Sequence, residues 1–391
     1  MNSEELQVLG KGAEQDKRKV RIITFASMVI LTLLVILGFW SYKHATHKDN
    51  RYGETCIIQE LQAVVDSLLD DELQAIDGMQ GQVIVMEVQT GRILAMAGRE
   101  RRFDGKFQPC QNFAFQQEPG SMMFAASLLA SIETGELALS DSVDSYGGIW
   151  DVDGSHLMKD HNWYLGGYGR ITLEEALRFS STIGVGKTVS HVFKGKELSY
   201  YDLLDKMCLG KPDSIKGIEG LKPMSFICPN DSLSANYRML TNSIGYELSL
   251  APIQTLTFFN AIANGGKMVK PMLYADTVEV INPQIASRES IVQLQIALER
   301  TVSQGLGSKA GTKQVCVAGS VGNAQLNVSY DDDSVPIEYH ISFCGYFPAD
   351  NPRYSMIVSM NKQGIPASGG GMAGPVFHNV VEWMVNNHYT E

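Results

Sequence analysis

Residues Ile22 to Trp40 form 19 consecutive positions without a charge, rich in Ile, Leu, Val and Phe. At about 1.5 Å rise per residue, a helix of this length crosses roughly 28 Å, close to the hydrocarbon thickness of a bilayer. A cleaved leader has a shorter apolar core and ends in small residues. This stretch ends in Phe39, Trp40 and Tyr42, an interfacial aromatic belt. The sequence therefore predicts an uncleaved transmembrane helix over residues 22–42. Lys11, Lys17, Arg18, Lys19 and Arg21 precede it, whereas only Lys43 and Lys48 follow closely. That asymmetry predicts a cytoplasmic tail over 1–21 and a periplasmic or extracytoplasmic remainder, held at the inner (plasma) membrane by a single pass.

The chain carries a net charge of −11, and residues 1–43 hold six basic against four acidic groups, so −13 falls on the rest. An acidic body offers no field for phosphate backbones, which excludes a nucleic-acid partner. Six cysteines in 391 residues are too few for a disulfide scaffold. Disulfides among Cys56, Cys110, Cys208, Cys228, Cys316 and Cys344 and buried free thiols both remain open.

Beyond the span, residues 43–80 read as a polar tether and an amphipathic helix, with Ile58, Leu61, Val65, Leu68 and Leu69 three and four apart. Residues 81–391 read as one domain. Its start, from Gln82 to Met96, alternates as strand, turn, strand. Met122 to Thr134 reads as a buried helix after the Pro119-Gly120-Ser121 turn. Thr172 with Glu175 is a capping box opening another, and Gly265-Gly266 closes a third begun at Ile253. Strands are predicted at Gln314–Ala318, Ile337–Tyr346 and Tyr354–Met360, before a final helix with Val376, Phe377, Val380, Val381 and Met384. The predicted class is α+β, an antiparallel sheet flanked by helices.

Seven segments in order, among them "GQVIVMEVQTGRILAMAG", "NFAFQQEPGSMMF", "GRITLEEALRFSSTIGV" and "NSIGYELSLAPIQTLTFFNAIANGGKMVKP", resemble the transpeptidase domain of class B penicillin-binding proteins. "VAGSVGNAQ", "CGYFPADNPRYSMIVSM" and "MAGPVFHNVV" extend the resemblance to the C-terminal end. It implies a fold of the penicillin-binding transpeptidase and serine β-lactamase kind. The long pedestal usual between anchor and catalytic domain in that class has no counterpart in the short stretch after the span.

The family's chemistry rests on three motifs. Ser-x-x-Lys puts a lysine one helical turn below the nucleophile, as its proton acceptor. Here it reads Ser121-Met122-Met123-Phe124: the serine stands, and a phenyl ring replaces the base. Ser121 also reads as a simple helix N-cap. Ser-x-Asn reads Ser180-Ser181-Thr182, keeping the second-motif serine and losing the amide. Ser180 also reads as a cap or a bond within its helix. Lys-Thr-Gly reads Ser320-Val321-Gly322, followed by Asn323, so the cation is gone. Gly322 still lets a ligand backbone approach, and the Asn323 backbone N–H can serve as an oxyanion donor. Losing a positioned general base costs about 10²–10⁴ in rate, roughly 3–5 kcal/mol of barrier.

Lys159, His161 and Lys187 lie in segments bordering the family's cleft and read as solvated surface residues. The histidines lack zinc-ligand spacing, His44 and His47 belong to the tether, and Gly305-Leu306-Gly307-Ser308 is a turn rather than a P-loop. Asp331, Asp332 and Asp333 read as a solvated loop. No metal and no cofactor is expected. The resemblance implies a pseudo-enzyme of peptidoglycan synthesis that binds stem peptides or cell-wall synthesis proteins, with β-lactams held weakly or not at all. The alternative is a serine acyl-transfer enzyme, a D,D-transpeptidase or carboxypeptidase, that takes penicillin covalently at Ser121 with a non-standard base.

Overall fold

A computed structural model describes residues 53–226, 234–326 and 337–390 of the chain. The predicted span over 22–42, Cys228 and Asp331 to Asp333 lie outside the described residues. No described helix is long and apolar enough to cross a membrane. Thr55–Glu391 forms one compact unit.

Its frame is a six-stranded antiparallel sheet. The strands are β1 (Gly78–Glu87), β2 (Ile93–Arg101), β3 (Phe107–Pro109), β4 (Ala318–Gln325), β5 (Glu338–Phe347) and β6 (Tyr354–Gln363). Their spatial order is β4-β5-β6-β1-β2-β3, so β1 pairs with β6 from the far end of the chain. Side chains alternate across a strand, and β1 uses both faces. Val83 and Val85 pack into one apolar cluster, Ile84 and Met86 into the other.

The first cluster is closed by α1 (Gln59–Ala75) and by the C-terminal helix. Leu61, Val65, Leu69 and Leu73 of α1 are fully buried there, at the four-residue spacing that makes one stripe. The other face carries a helical lobe: α2 (Met123–Glu133), α3 (Leu173–Arg178), α4 (Thr182–Phe193), α5 (Glu197–Lys206), α6 (Ala235–Ser243), α7 (Pro252–Ala263) and α8 (Arg288–Gln304). The C-terminal helix is α9 (Gly374–Asn386). The capping box at Thr172 and Glu175 opens α3, with both reciprocal bonds formed. Gly265 and Gly266 end α7 with positive φ, and the Gly266 N–H returns to the Ala261 carbonyl.

One strand prediction needs correction. The segment Gln314–Ala318 is not a strand; β4 starts at Ala318 and carries the third motif itself. Its eight residues, Ala-Gly-Ser-Val-Gly-Asn-Ala-Gln, hold a single β-branched side chain, so propensity hides it. Pairing with β5, from Ala318 opposite Tyr346 to Gln325 opposite Tyr339, makes it a strand. Cys110, Cys208, Cys316 and Cys344 are free thiols.

Candidate functional site

A cleft of about 570 Å³ opens where β4, the start of α2, the α3–α4 turn and the 159–163 segment meet. Ser121, Phe124, Ser180, Thr182, Val321, Gly322 and Asn323 all line it, so residues 200 apart in sequence converge. Ser320 does not line it; this side chain is buried, 1% exposed.

Ser121 sits in a 3-10 turn, Gly120–Met122, that runs into α2. Its hydroxyl does not cap the helix, which corrects the N-cap reading. It donates to the Val321 carbonyl at 3.2 Å and accepts from the Asn323 N–H at 3.2 Å. The turn reaches the strand because residue 120 is glycine. Its φ is +55°, and a Cβ there would lie 2.2 Å from the Asn323 carbonyl oxygen. Among the described residues no amine or imidazole bonds to the Ser121 oxygen. A backbone carbonyl holds its proton and is no base. Phe124, one turn on, is 2% exposed and belongs to the helical-lobe core.

The second motif divides its two serines. Ser181 is the N-cap of α4, accepting from the Gly184 N–H at 2.9 Å and donating to the Asp160 carboxylate at 2.9 Å. Ser180, read from sequence as a cap, instead stands in the turn with φ +55°, a costly conformation for a residue with a side chain. Its hydroxyl bonds to no described residue and faces the cleft. Asp160 is fully buried and also accepts from the Ile183 N–H at 3.0 Å. Burial raises its pKa, and these hydrogen bonds pull it back. In Asp160→Asn the amide nitrogen cannot accept, so one buried donor loses its partner. Urea unfolding should show a loss of about 1–2 kcal/mol, with the Ser180 turn loosened.

Sequence reasoning missed several neighbours. The Tyr246 hydroxyl accepts from the Gln325 N–H at 3.2 Å, and burial raises its pKa, keeping it neutral. The Asn323 side chain donates to the Ala367 carbonyl at 3.1 Å. His161 and Lys159, read as surface residues, are exposed and still line the cleft. His161 Nε2 lies 2.7 Å from the Tyr168 hydroxyl, whose pKa burial pushes up to about 12. Lys187 points away: it donates to the Asp144 carbonyl at 2.7 Å and sits over the Tyr146 ring. Behind the nucleophile turn, the buried His340 contacts the Glu118 carbonyl and the Ser359 hydroxyl, each at 2.9 Å. Nothing in the spacing links Asp160 to Ser181 or His340 to Glu118, since each pair meets only through the fold.

The arrangement can hold a ligand backbone along β4 and present hydroxyl and amide donors to it. Among the described residues, the only hydrogen-bond partners of the Ser121 hydroxyl are the Val321 carbonyl and the Asn323 N–H. Comparison with known proteins gives the chain relatives. Penicillin-binding protein PbpB of Mycolicibacterium smegmatis is 26% identical over 91% of this chain and 57% of its own length. Stage V sporulation protein D of Bacillus subtilis is 24% identical over 85% of this chain and 53% of its own length. Peptidoglycan D,D-transpeptidase FtsI of Escherichia coli is 24% identical over 82% and 54%. The chain thus spans about half the length of these relatives. Among solved structures, the transpeptidase domain of Burkholderia pseudomallei penicillin-binding protein 3 superposes with a TM-score of 0.72 at 22% identity, covering 86% of this chain and 96% of that one. Penicillin-binding protein 3 of Mycobacterium tuberculosis gives 0.70 at 23% identity, covering 85% and 79%. Residues 81–382 match the family model described as the penicillin binding protein transpeptidase domain, and the chain belongs to that family.

Proposed function

We propose that this chain is a non-catalytic member of its family, anchored through residues 22–42 and exposing its folded unit outside the plasma membrane. There it binds wall stem peptides within peptidoglycan-building machinery, and through them or directly the proteins that assemble the wall. The observation that carries the reading is the hydrogen bonding of Ser121: a backbone carbonyl and a backbone N–H, with Phe124 where a base would stand. A serine hydroxyl without a base is a weak nucleophile. The relatives' names, which include a D,D-transpeptidase, support peptidoglycan as the setting.

The test incubates the full-length chain in detergent with a labelled penicillin and reads intact mass. No adduct is expected after a long incubation. An adduct that disappears in Ser121→Ala would establish the alternative, an acyl-transfer enzyme with an unorthodox base, and end the non-catalytic reading.

A further inference from the structure

With Ser320 replacing the strand cation, a ligand's negative charge finds no cation on β4. The cleft carries a cation elsewhere. Lys159 ends the hairpin formed by Ile149–Asp151 and Leu157–Lys159, and it lines the cleft beside Asp160, His161 and Trp163. Its Nζ lies 4.9 Å from the Trp163 ring centre, so the indole face steadies the ammonium without neutralising it. Lys159 makes no ion pair among the described residues. The other charged side chain of the lining that stands beside it, Asp160, is not free to balance it. Its two oxygens are held by Ser181 and Ile183, and it is fully buried. Ser180 and Thr182, which line the same cleft, add hydroxyls that bond to no described residue.

We infer that Lys159, with the Ser180 and Thr182 hydroxyls, forms an anion subsite that takes the C-terminal carboxylate of a bound peptide. The cleft's charge recognition thereby shifts from the strand to the hairpin side. The inference rests on the peptide-binding reading above and adds where the charge is held. Lys159 is exposed, so an ammonium there meets a carboxylate without being stripped of all its water, and the gain is moderate rather than large.

The experiment measures binding of a fluorescein-labelled wall stem pentapeptide to the full-length chain by fluorescence polarisation. One form of the peptide ends in a free carboxylate, the other in a carboxamide. The acid should bind about tenfold tighter than the amide, about 1.4 kcal/mol. Lys159→Gln should bring that ratio close to one with the amide's affinity unchanged, and Lys159→Arg should keep most of it. The melting temperature should not move in either variant, because the side chain is exposed. A ratio that survives in Lys159→Gln, or a parent chain indifferent to the terminal charge, overturns the subsite while leaving peptide binding standing. No binding of either peptide overturns the peptide-binding reading, and the subsite with it.

Discussion

The double variant Phe124→Lys with Ser320→Lys is expected to acylate Ser121 with a labelled penicillin about 10²–10⁴-fold faster than the parent. Position 124 follows Ser121 by one helical turn and already faces the cleft. An amine placed there is desolvated, since the residue it replaces is 2% exposed. Desolvation lowers an amine's pKa toward neutrality, which makes it a usable base at physiological pH. Ser320 is buried on the same face of the strand as the cleft-lining Gly322, so the longer stem of a lysine there is expected to carry its positive charge to Ser180 and the developing anion. The Asn323 N–H is already at the Ser121 oxygen. The two changes act as a unit, so Phe124→Lys alone should recover only a small part. Losing a buried aromatic costs about 3–5 kcal/mol, so urea unfolding and circular dichroism must accompany the mass measurement. A double variant that folds like the parent and never reacts would show that two added amines are not enough to make Ser121 a nucleophile in this cleft.

Stability should fall by about 2–3 kcal/mol more in the parent than in His340→Gln between pH 7 and pH 4.5. His340 is enclosed between the Glu118 carbonyl, to which Nδ1–H donates, and the Ser359 hydroxyl, which donates to Nε2. Both contacts suit the neutral ring, and burial lowers the pKa from 6.5 to about 4. In that interval the unfolded chain takes up a proton that the folded chain refuses. Stability is therefore retained above about pH 6.5 and lost as pH falls toward 4, at about 1.4 kcal/mol per unit. Burial raises the Glu118 carboxyl, which contributes the opposite slope in parent and variant alike, so the difference isolates the imidazole. Glu118 precedes the Pro119-Gly120-Ser121 turn, and acid should loosen that turn with the sheet. Urea midpoints at the two pH values decide the matter: parallel losses would mean that another group takes up the proton.

Local rules read much of this fold. The α1 stripe at Leu61, Val65 and Leu69, the opening hairpin, the Thr172–Glu175 capping box and the Gly265-Gly266 ending each express one short-range preference, and tertiary packing agrees with it. Strand β4 escaped because its residues are small, and only pairing with β5 makes it extended. Ser121, Ser180 and the 321–323 segment were legible through the order of the family's segments. The division of labour between Ser180 and Ser181 was not, because it is set by Asp160, 21 residues upstream, whose carboxylate selects Ser181 as the cap. Lys159 and His161 reach the cleft by the path of a glycine- and aromatic-rich loop that carries no periodicity to read.

The 202-residue separation between the Ser121 oxygen and the Asn323 N–H bears on how the molecule is made. While it is being synthesised, the first half of the unit holds a serine turn with nothing to dock against, and β1 waits as an open edge until β6 arrives. Long-range closure of this kind is slow and leaves strand edges available for wrong pairings. Once closed, a molecule seated in the groove touches both halves of the polypeptide together. Occupancy should then slow the loss of the whole topology, which makes protection from proteases a sensitive gauge of what the groove accepts.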